Sequence, residues 1–143
     1  MEIARLLSAC THITRARMQQ ALEDAGVTLK PGMTLLYRTG ADEKWGDAID
    51  YVMNYPGLDL EASEWLLDQG IVNLCTDAVS TDNPADLNYP NHTTHARREI
   101  IHTEIVANIG RIPMHQGFYV MFFPLRLVGG TGSPARAIAV WNV

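Results

Sequence analysis

The stretch that decides the fold is residues 59–75, DLEASEWLLDQGIVNLC. Asp59 precedes a segment with the composition of a helix, and a carboxylate there can accept hydrogen bonds from the free N–H groups of the first turn. The sequence therefore predicts a helix over 60–69 that Gly70 ends. The apolar run 71–75 that follows has the length and composition of a buried strand. A helix followed at once by a buried strand is typical of α/β folds.

The rest of the chain continues this alternation and then changes character. Further helices are predicted over 14–26, 47–53 and 93–101. Further strands are predicted over 33–37, 104–107, 118–128 and 135–143. The glycine-rich segment GGTGSP at 129–134 is expected to be a tight turn rather than a phosphate loop, because it opens no helix. Since helices and strands alternate early and strands dominate late, residues 1–143 are predicted to form one mixed α/β domain.

Composition limits the expected partners and compartment. The chain has 143 residues, 47% of them hydrophobic, and a formal net charge of −5, which suits one domain with a real core. There is no dense Lys/Arg stripe and no apolar run of about 18 residues, so neither nucleic acid nor a membrane is an expected partner. The N-terminal residues lack the basic and apolar regions of a signal peptide. Two cysteines without CxxC spacing, Cys10 and Cys75, suit a reducing cytoplasm.

The segment NHTTHARREIIHTE, residues 91–104, holds three of the five histidines of the chain. On a helix His95 and Glu99 share a face, and His102 lies two turns beyond His95. Histidine and carboxylate side chains from neighbouring elements suit zinc or manganese. The residues alone favour the other interpretation, an exposed amphipathic helix with surface histidines.

The loop from Asp77 to Asp82 is a second candidate, because polar side chains that follow a buried strand commonly face a site. Its carboxylates and hydroxyls suit equally well the ordinary task of hydrogen-bonding the backbone of the loop. The residues leave these two interpretations open.

Several segments, taken in order, resemble the cyclase family of metal-dependent hydrolases, the family of bacterial kynurenine formamidase and isatin hydrolase. The resembling stretches are EIARL at 2–6, IT at 13–14, KPGMTLLYRTG at 30–40, KWGD at 44–47, YPGLDLEASEWLLDQGI at 55–71, the 77–82 loop, YPNH at 89–92, EIVANI at 104–109 and FPLRLVGGTGSPARAIA at 123–139. The resemblance implies a mixed curved sheet or barrel flanked by helices, of the swivelling β/β/α kind.

The resemblance also implies roles for individual residues. Pro90-x-His92 followed by Glu104 has the family's ligand spacing, so His92 and Glu104 are expected to bind the metal, zinc or manganese. His95 and His102 match no ligand position of the family.

The family also places a substrate pocket beside the metal. Asp77, Ser80 and Asp82 match the family's loop that lines this pocket, although Ala78 and Val79 depart from its pattern. Trp45, in the segment that matches the family's WGD, is expected to line the pocket or to pack under a loop.

The family motif His-x-Gly-Thr-His-x-Asp-x-Pro is not found in these 143 residues. The chain is therefore expected to correspond to the C-terminal portion of a family member, with an incomplete fold at its N-terminus. No catalytic base is assigned. Two ligands are fewer than the three that a catalytic zinc site normally has, so weak metal binding and little hydrolysis are expected of this chain alone.

The function implied is metal-dependent hydrolysis of a carbon–nitrogen amide bond in a small molecule, either an aryl formamide such as N-formylkynurenine or a cyclic amide. The alternative is a non-catalytic binding or assembly subunit. Apolar surface left open by missing strands would need a cover, so a homo-oligomer or a complementing N-terminal chain is expected. The candidates for this exposed surface are Phe118, Tyr119, Met121, Phe122 and Phe123.

Overall fold

The computed structural model describes residues 12–142. The matching stretch at 2–6 and Cys10 lie outside the described residues. The chain divides into two compact units, the first ending at Arg111 and the second beginning at Ile112. None of the helices within 12–142 has the length and apolar character that a membrane span requires.

The first unit alternates short strands with helices. Its helices are α1 (Arg15–Asp24), α2 (Ala48–Met53), α3 (Leu60–Asp68) and α4 (Pro90–Arg97), with 3₁₀ turns at Ala41–Lys44 and Ile109–Arg111. Its strands are β1 (His12–Ile13), β2 (Thr34–Tyr37), β3 (Gly57–Leu58), β4 (Asn73–Thr76) and β5 (Ile101–Thr103). The α/β class predicted from the sequence is confirmed, and the strands of residues 12–142 form no closed barrel.

A parallel three-stranded sheet of order β2-β4-β5 organises the first unit. Every residue of the central strand β4 is buried, because parallel strands are covered on both faces and carry apolar runs. A smaller parallel pair joins β1 to β3, with Ile13 opposite Leu58. Helices α1 and α3 supply the largest share of the core beside the sheet. The fully apolar cluster comprises Ile13, Met18, Leu22, Leu35, Tyr37, Leu58, Ala62, Leu66, Leu67, Ile71 and Leu74.

Helices α1 and α3 each begin directly after a residue whose side chain caps them. The Thr14 hydroxyl accepts a hydrogen bond from the backbone N–H of Arg17 at 3.3 Å, and an Asp59 carboxylate oxygen accepts one from Ala62 at 2.7 Å. Gly70 follows α3 with a φ of +82°, a conformation that a residue with a Cβ rarely adopts. The strand after it begins two residues later than predicted, at Asn73.

The prediction for the histidine-rich segment was wrong in its boundaries. Helix α4 begins at Pro90 and ends at Arg97, and the strand lies at 101–103 instead of 104–107. Glu99 has a φ of +56°, so the chain turns there, and Ile101 then pairs with Asn73 of β4. His102 therefore lies on a strand, and it does not extend the helical face of His95.

The second unit contains an antiparallel hairpin of β6 (Tyr119–Pro124) and β7 (Ala135–Val140), with Met121 opposite Ile138. The predicted strand 118–128 ends at Pro124, so the connection to β7 is longer than the tight turn expected at 129–134. Tyr119, Met121 and Phe123 are exposed, as expected, whereas Phe118 and Phe122 are partly buried. One face of this hairpin therefore exposes Tyr119, Met121, Phe123 and Ile138, with Arg136 at its edge opposite Phe123.

Gly57 in β3 marks a close approach of two backbones. A Cβ built on Gly57 would meet the Asn83 backbone nitrogen and the Asp82 carbonyl carbon, and would lie 2.6 Å from the Asp82 carbonyl oxygen. Backbone atoms cannot move aside as a flexible side chain can, so this position has room only for hydrogen. The loop that carries Asp82 consequently rests directly on β3.

We expect Gly57→Ala to lower the free energy of unfolding by about 1–3 kcal/mol, the usual cost of overpacking, because the new methyl group would push the Asp82–Asn83 backbone away from β3. Gly46→Ala is the matched control, since a Cβ there meets nothing within 4 Å. Urea denaturation of both variants measures the difference. Equal midpoints for the two would mean that the loop is not held against β3.

Candidate metal centre

Three side chains of the first unit converge at the carboxyl end of the parallel sheet. His92 lies in the first turn of α4 and His102 lies on β5. Glu104 directly follows β5. One nitrogen or oxygen atom of each lies within 4.8 Å of those of the other two. Glu104 Oε1 is 3.9 Å from Nε2 of both histidines. These separations are too long for hydrogen bonds. Imidazole nitrogens and carboxylate oxygens are atoms that commonly bind divalent metals.

Asp82 fixes the orientation of His92. The Asp82 carboxylate is almost fully buried, and its Oδ2 lies 2.6 Å from His92 Nδ1. A carboxylate can only accept, so the ring proton of neutral His92 is on Nδ1 and the lone pair is on Nε2. A histidine held in this way by a carboxylate presents its other nitrogen to a metal in a fixed direction.

The same carboxylate caps helix α4. Tyr89, the residue before the helix, has a φ of +48° and makes no side-chain cap, and Pro90 has no N–H to satisfy. The next two N–H groups, of Asn91 and His92, both donate to Asp82, at 2.7 and 3.1 Å. Asp82 therefore sets the start of the helix and the direction of the His92 ring together.

Asn91 attaches this turn to the rest of the unit. Its buried side-chain amide donates to the carbonyl oxygens of Leu58 and Thr81, at 2.9 and 3.0 Å. The backbone N–H of Thr81 in turn donates to Glu104 Oε1 at 2.9 Å. The loop that ends at Asp82 thus positions Glu104 as well as His92.

His102 is held by a buried chain of polar side chains. Its Nδ1 lies 3.1 Å from Nδ1 of His95, and His95 Nε2 lies 2.8 Å from the Ser63 hydroxyl. Burial lowers the pKa of His95 to about 4 and, as the largest cause, also lowers the pKa of His102. Both rings are therefore neutral near pH 7, which is the form of histidine that binds a metal.

Two of the remaining predicted loop residues accept hydrogen bonds from backbone N–H groups. The Ser80 hydroxyl accepts a hydrogen bond from the Asp82 backbone N–H at 3.0 Å. Asp77 is fully buried, and its two oxygens accept from the backbone N–H groups of Thr39 and Gly40 at 2.6 and 2.9 Å. Burial raises the pKa of Asp77, and the Thr39 hydrogen bonds oppose that effect. Asp77 orders the loop that follows β2.

Trp45 lies in the segment after that loop and is half exposed. Its ring meets the Tyr51 ring edge to face, with the centroids 6.1 Å apart. The Tyr51 hydroxyl donates to the Asp77 carbonyl oxygen at 2.8 Å. The structure therefore brings together His92, Glu104 and Asp82, and it connects Asp77 and Trp45 to each other through Tyr51.

Sequence reasoning weighed His95 and His102 as possible ligands and gave neither that role, and it did not identify Ser63 or Asn91. A signal for His102 was available, because His102 and Glu104 are two residues apart and side chains at that spacing share one face of a strand. The helix predicted through residue 101 concealed this periodicity. Ser63 and His95 are 32 residues apart in sequence, and no local pattern connects them.

We expect Asp82→Ala to destabilise the fold by about 1–3 kcal/mol, the usual penalty for leaving buried donors unpaired. The affected donors are the Asn91 and His92 N–H groups and the His92 ring. Asp86→Ala is the control from the same loop, because the Asp86 carboxylate accepts its hydrogen bonds from the exposed Asn88 in a surface turn. Urea denaturation measures the free energy of unfolding of both variants. An equally small decrease in both would contradict a capping role for Asp82.

Comparison with known proteins supports the resemblance seen in the sequence. Residues 3–83 match the cyclase family. The chain is 28% identical over 119 residues to isatin hydrolase of Roseibium aggregatum, an alignment that spans 76% of this chain and 45% of that protein.

Solved structures show the same fold. An isatin hydrolase bound to the product analogue thioisatinate has a TM-score of 0.84 at 24% identity, over 97% of this chain and 57% of that one. Isatin hydrolase A from Ralstonia solanacearum has a TM-score of 0.79 at 26% identity, over 90% of this chain and 52% of that one. The chain thus spans about half the length of the relatives it matches. Since the family match covers more than half of its residues, the chain belongs to the cyclase family.

Proposed function

We propose that this chain supplies part of the metal site of a hydrolase that cleaves a carbon–nitrogen amide bond. The observation that carries the proposal is the convergence of His92, His102 and Glu104, with His92 already oriented by Asp82. The nitrogen of His92 that Asp82 does not engage, Nε2, is the one that lies 3.9 Å from Glu104 Oε1. The similarity to isatin hydrolases supports the reaction class.

The donor set fits a divalent cation. Two imidazole nitrogens and one carboxylate oxygen suit zinc, and they suit manganese as well. When bound, such a metal supplies Lewis acidity that acidifies a water molecule and polarises a carbonyl oxygen. The residues of the chain hold the donors: Asp82 fixes the His92 ring, and the Thr81 N–H holds one oxygen of Glu104. With His102 the chain offers three ligands, one more than the sequence predicted.

The substrate class proposed is a cyclic amide, with an aryl formamide such as N-formylkynurenine as the second choice. The similarity to isatin hydrolases favours the cyclic amide, because isatin contains one. We assign to Asp77, Ser80 and Asp82 the shaping of the pocket wall through the backbone they hold. The exposed ring of Trp45 offers a flat apolar surface against which a planar substrate can stack.

We expect the purified chain to bind zinc or manganese at one ion per chain, and His92→Ala to weaken binding. The loss should exceed the roughly 10–100-fold that follows removal of an outer partner of a ligand, because a ligand itself is lost. His115→Ala is the control, since His115 is an exposed histidine of the second unit. Calorimetric titration of tag-free protein measures all three affinities. Equal binding by the His92→Ala variant would place the metal elsewhere.

Activity distinguishes a hydrolase from a non-catalytic subunit. The metal-loaded chain is incubated with isatin and with N-formylkynurenine, before and after chelation. Turnover of either compound that chelation abolishes supports the hydrolase. Stoichiometric metal with no turnover of either compound supports the metal site and favours the non-catalytic alternative for the chain by itself.

We also propose that the chain self-associates through the apolar face of the hairpin in the second unit. Tyr119, Met121 and Phe123 expose 69%, 41% and 54% of their surface, and Ile138 opposite Met121 exposes 41%. A two-stranded hairpin is marginally stable by itself, and an apolar face of this kind gains from being covered.

We expect Met121→Lys to shift the chain from dimer to monomer, because it places a charge in the middle of the apolar face. Gln116→Lys adds the same charge at an exposed position outside the strands. It should leave the molar mass of the assembly at the wild-type value. Light scattering after size-exclusion chromatography gives the masses. A monomeric wild-type chain would rule out self-association, and would point instead to a complementing chain.

A further inference from the structure

A row of three polar side chains, two of them fully buried, leads from the core to the metal centre. Ser63 on α3 and His95 on α4 are both fully buried. The Ser63 hydroxyl lies 2.8 Å from His95 Nε2, and His95 Nδ1 lies 3.1 Å from His102 Nδ1. The His102 ring also lies 4.4 Å from the His92 ring, centroid to centroid. The row thus ends at one of the three candidate ligands.

The two facing Nδ1 atoms constrain the protons. Between neutral rings a contact of 3.1 Å requires one ring to donate and the other to accept. If His95 donates, the Nε2 of His102 carries the ring proton and has no lone pair for a metal. If His102 donates, its Nε2 lone pair is free on the side of the ring that faces Glu104, 3.9 Å away.

The second arrangement pairs each ring nitrogen that lies between the two imidazoles and Ser63. His102 Nδ1–H donates to His95 Nδ1, and His95 Nε2–H then donates to the Ser63 hydroxyl oxygen. The first arrangement pairs the same nitrogens, with the Ser63 hydroxyl donating to His95 Nε2. The two arrangements therefore differ at His102 Nε2, and only the second leaves its lone pair free for a metal. Serine can accept here as readily as it can donate, so Ser63 supports this arrangement without hindrance.

We propose that His95 and Ser63 are positioning residues that hold His102 in the ring orientation and tautomer that present Nε2 to the metal. The inference rests on the proposed metal site and deepens it. His95 then plays for His102 the part that Asp82 plays for His92, although its side chain is neutral. The partner of His102 need not be charged, because the two negative charges of Asp82 and Glu104 already equal the charge of a divalent cation.

The competing explanation is that His95 only fills the core between α3 and α4. That explanation predicts that an apolar residue of similar size at position 95 changes stability and leaves metal affinity unchanged. A positioning role predicts that affinity falls because the Nδ1–H of the metal-bound His102 would lose its acceptor. Asparagine separates the two cases, since its side-chain oxygen lies as many bonds from Cα as the histidine Nδ1 does and can accept the same hydrogen bond.

The experiment measures zinc dissociation constants by competition with a chromophoric chelator for the wild-type chain, His95→Leu, His95→Asn and Met18→Ala. Met18 is a buried core residue of α1 and controls for general destabilisation. We expect His95→Leu to bind zinc about 10–100-fold more weakly, and His95→Asn to recover most of the loss. We expect Met18→Ala to bind as the wild type does.

A nitrogen-15 NMR spectrum of the zinc-loaded wild-type chain gives an independent readout that survives if His95→Leu does not fold. The expected signature is a protonated Nδ1 and a zinc-bound Nε2 on His102. Zinc bound through Nδ1 of His102, or wild-type affinity in a folded His95→Leu variant, would overturn the inference and leave the metal site standing. A wild-type chain that binds no zinc and no manganese would instead overturn the proposed function, and this inference with it.

Discussion

The carboxylate of Asp82 is the constraint on which the rest of the site depends. It is buried, and its cost in lost hydration is offset by the backbone N–H groups of Asn91 and His92 and by the His92 ring. Three hydrogen bonds from one short segment to one carboxylate begin a helix and also orient a proposed metal ligand. Gly57 allows this arrangement, because any larger residue there would meet the backbone that carries Asp82.

The loop between β4 and α4 holds both His92 and Glu104 in position. Thr81 holds Glu104 through its N–H, while its carbonyl oxygen accepts from the Leu58 N–H at 2.8 Å and from Asn91. A displacement of this loop would therefore move His92 and Glu104 together. Metal ligands gain from such coupling, because their relative positions are preserved even when the loop as a whole shifts.

The sequence predicts elements well where the determining contacts are local. Helices α1 and α3 begin directly after their caps, Thr14 and Asp59, and each cap lies three residues from the N–H whose hydrogen bond it accepts. Helix α4 differs, because its cap is not local. Its capping residue, Asp82, lies nine and ten residues before Asn91 and His92, whose N–H groups donate to it. The strand at 101–103 likewise depends on pairing with β4, which no local pattern reveals. His102 was left out of the predicted ligand set because it matches no ligand position of the family, and the misplaced strand gave no reason to restore it.

The two histidines of the site are oriented by partners of different charge, and this difference has a physical reason. His92 is partly exposed and is held by a carboxylate, so its neutral form can be bound in one tautomer without help from the core. His102 faces the fully buried His95, where a further carboxylate would be a third negative charge beside Asp82 and Glu104. A third charge would exceed what one divalent cation neutralises and would be costly to bury. A neutral imidazole that ends at the Ser63 hydroxyl supplies the required acceptor without adding charge.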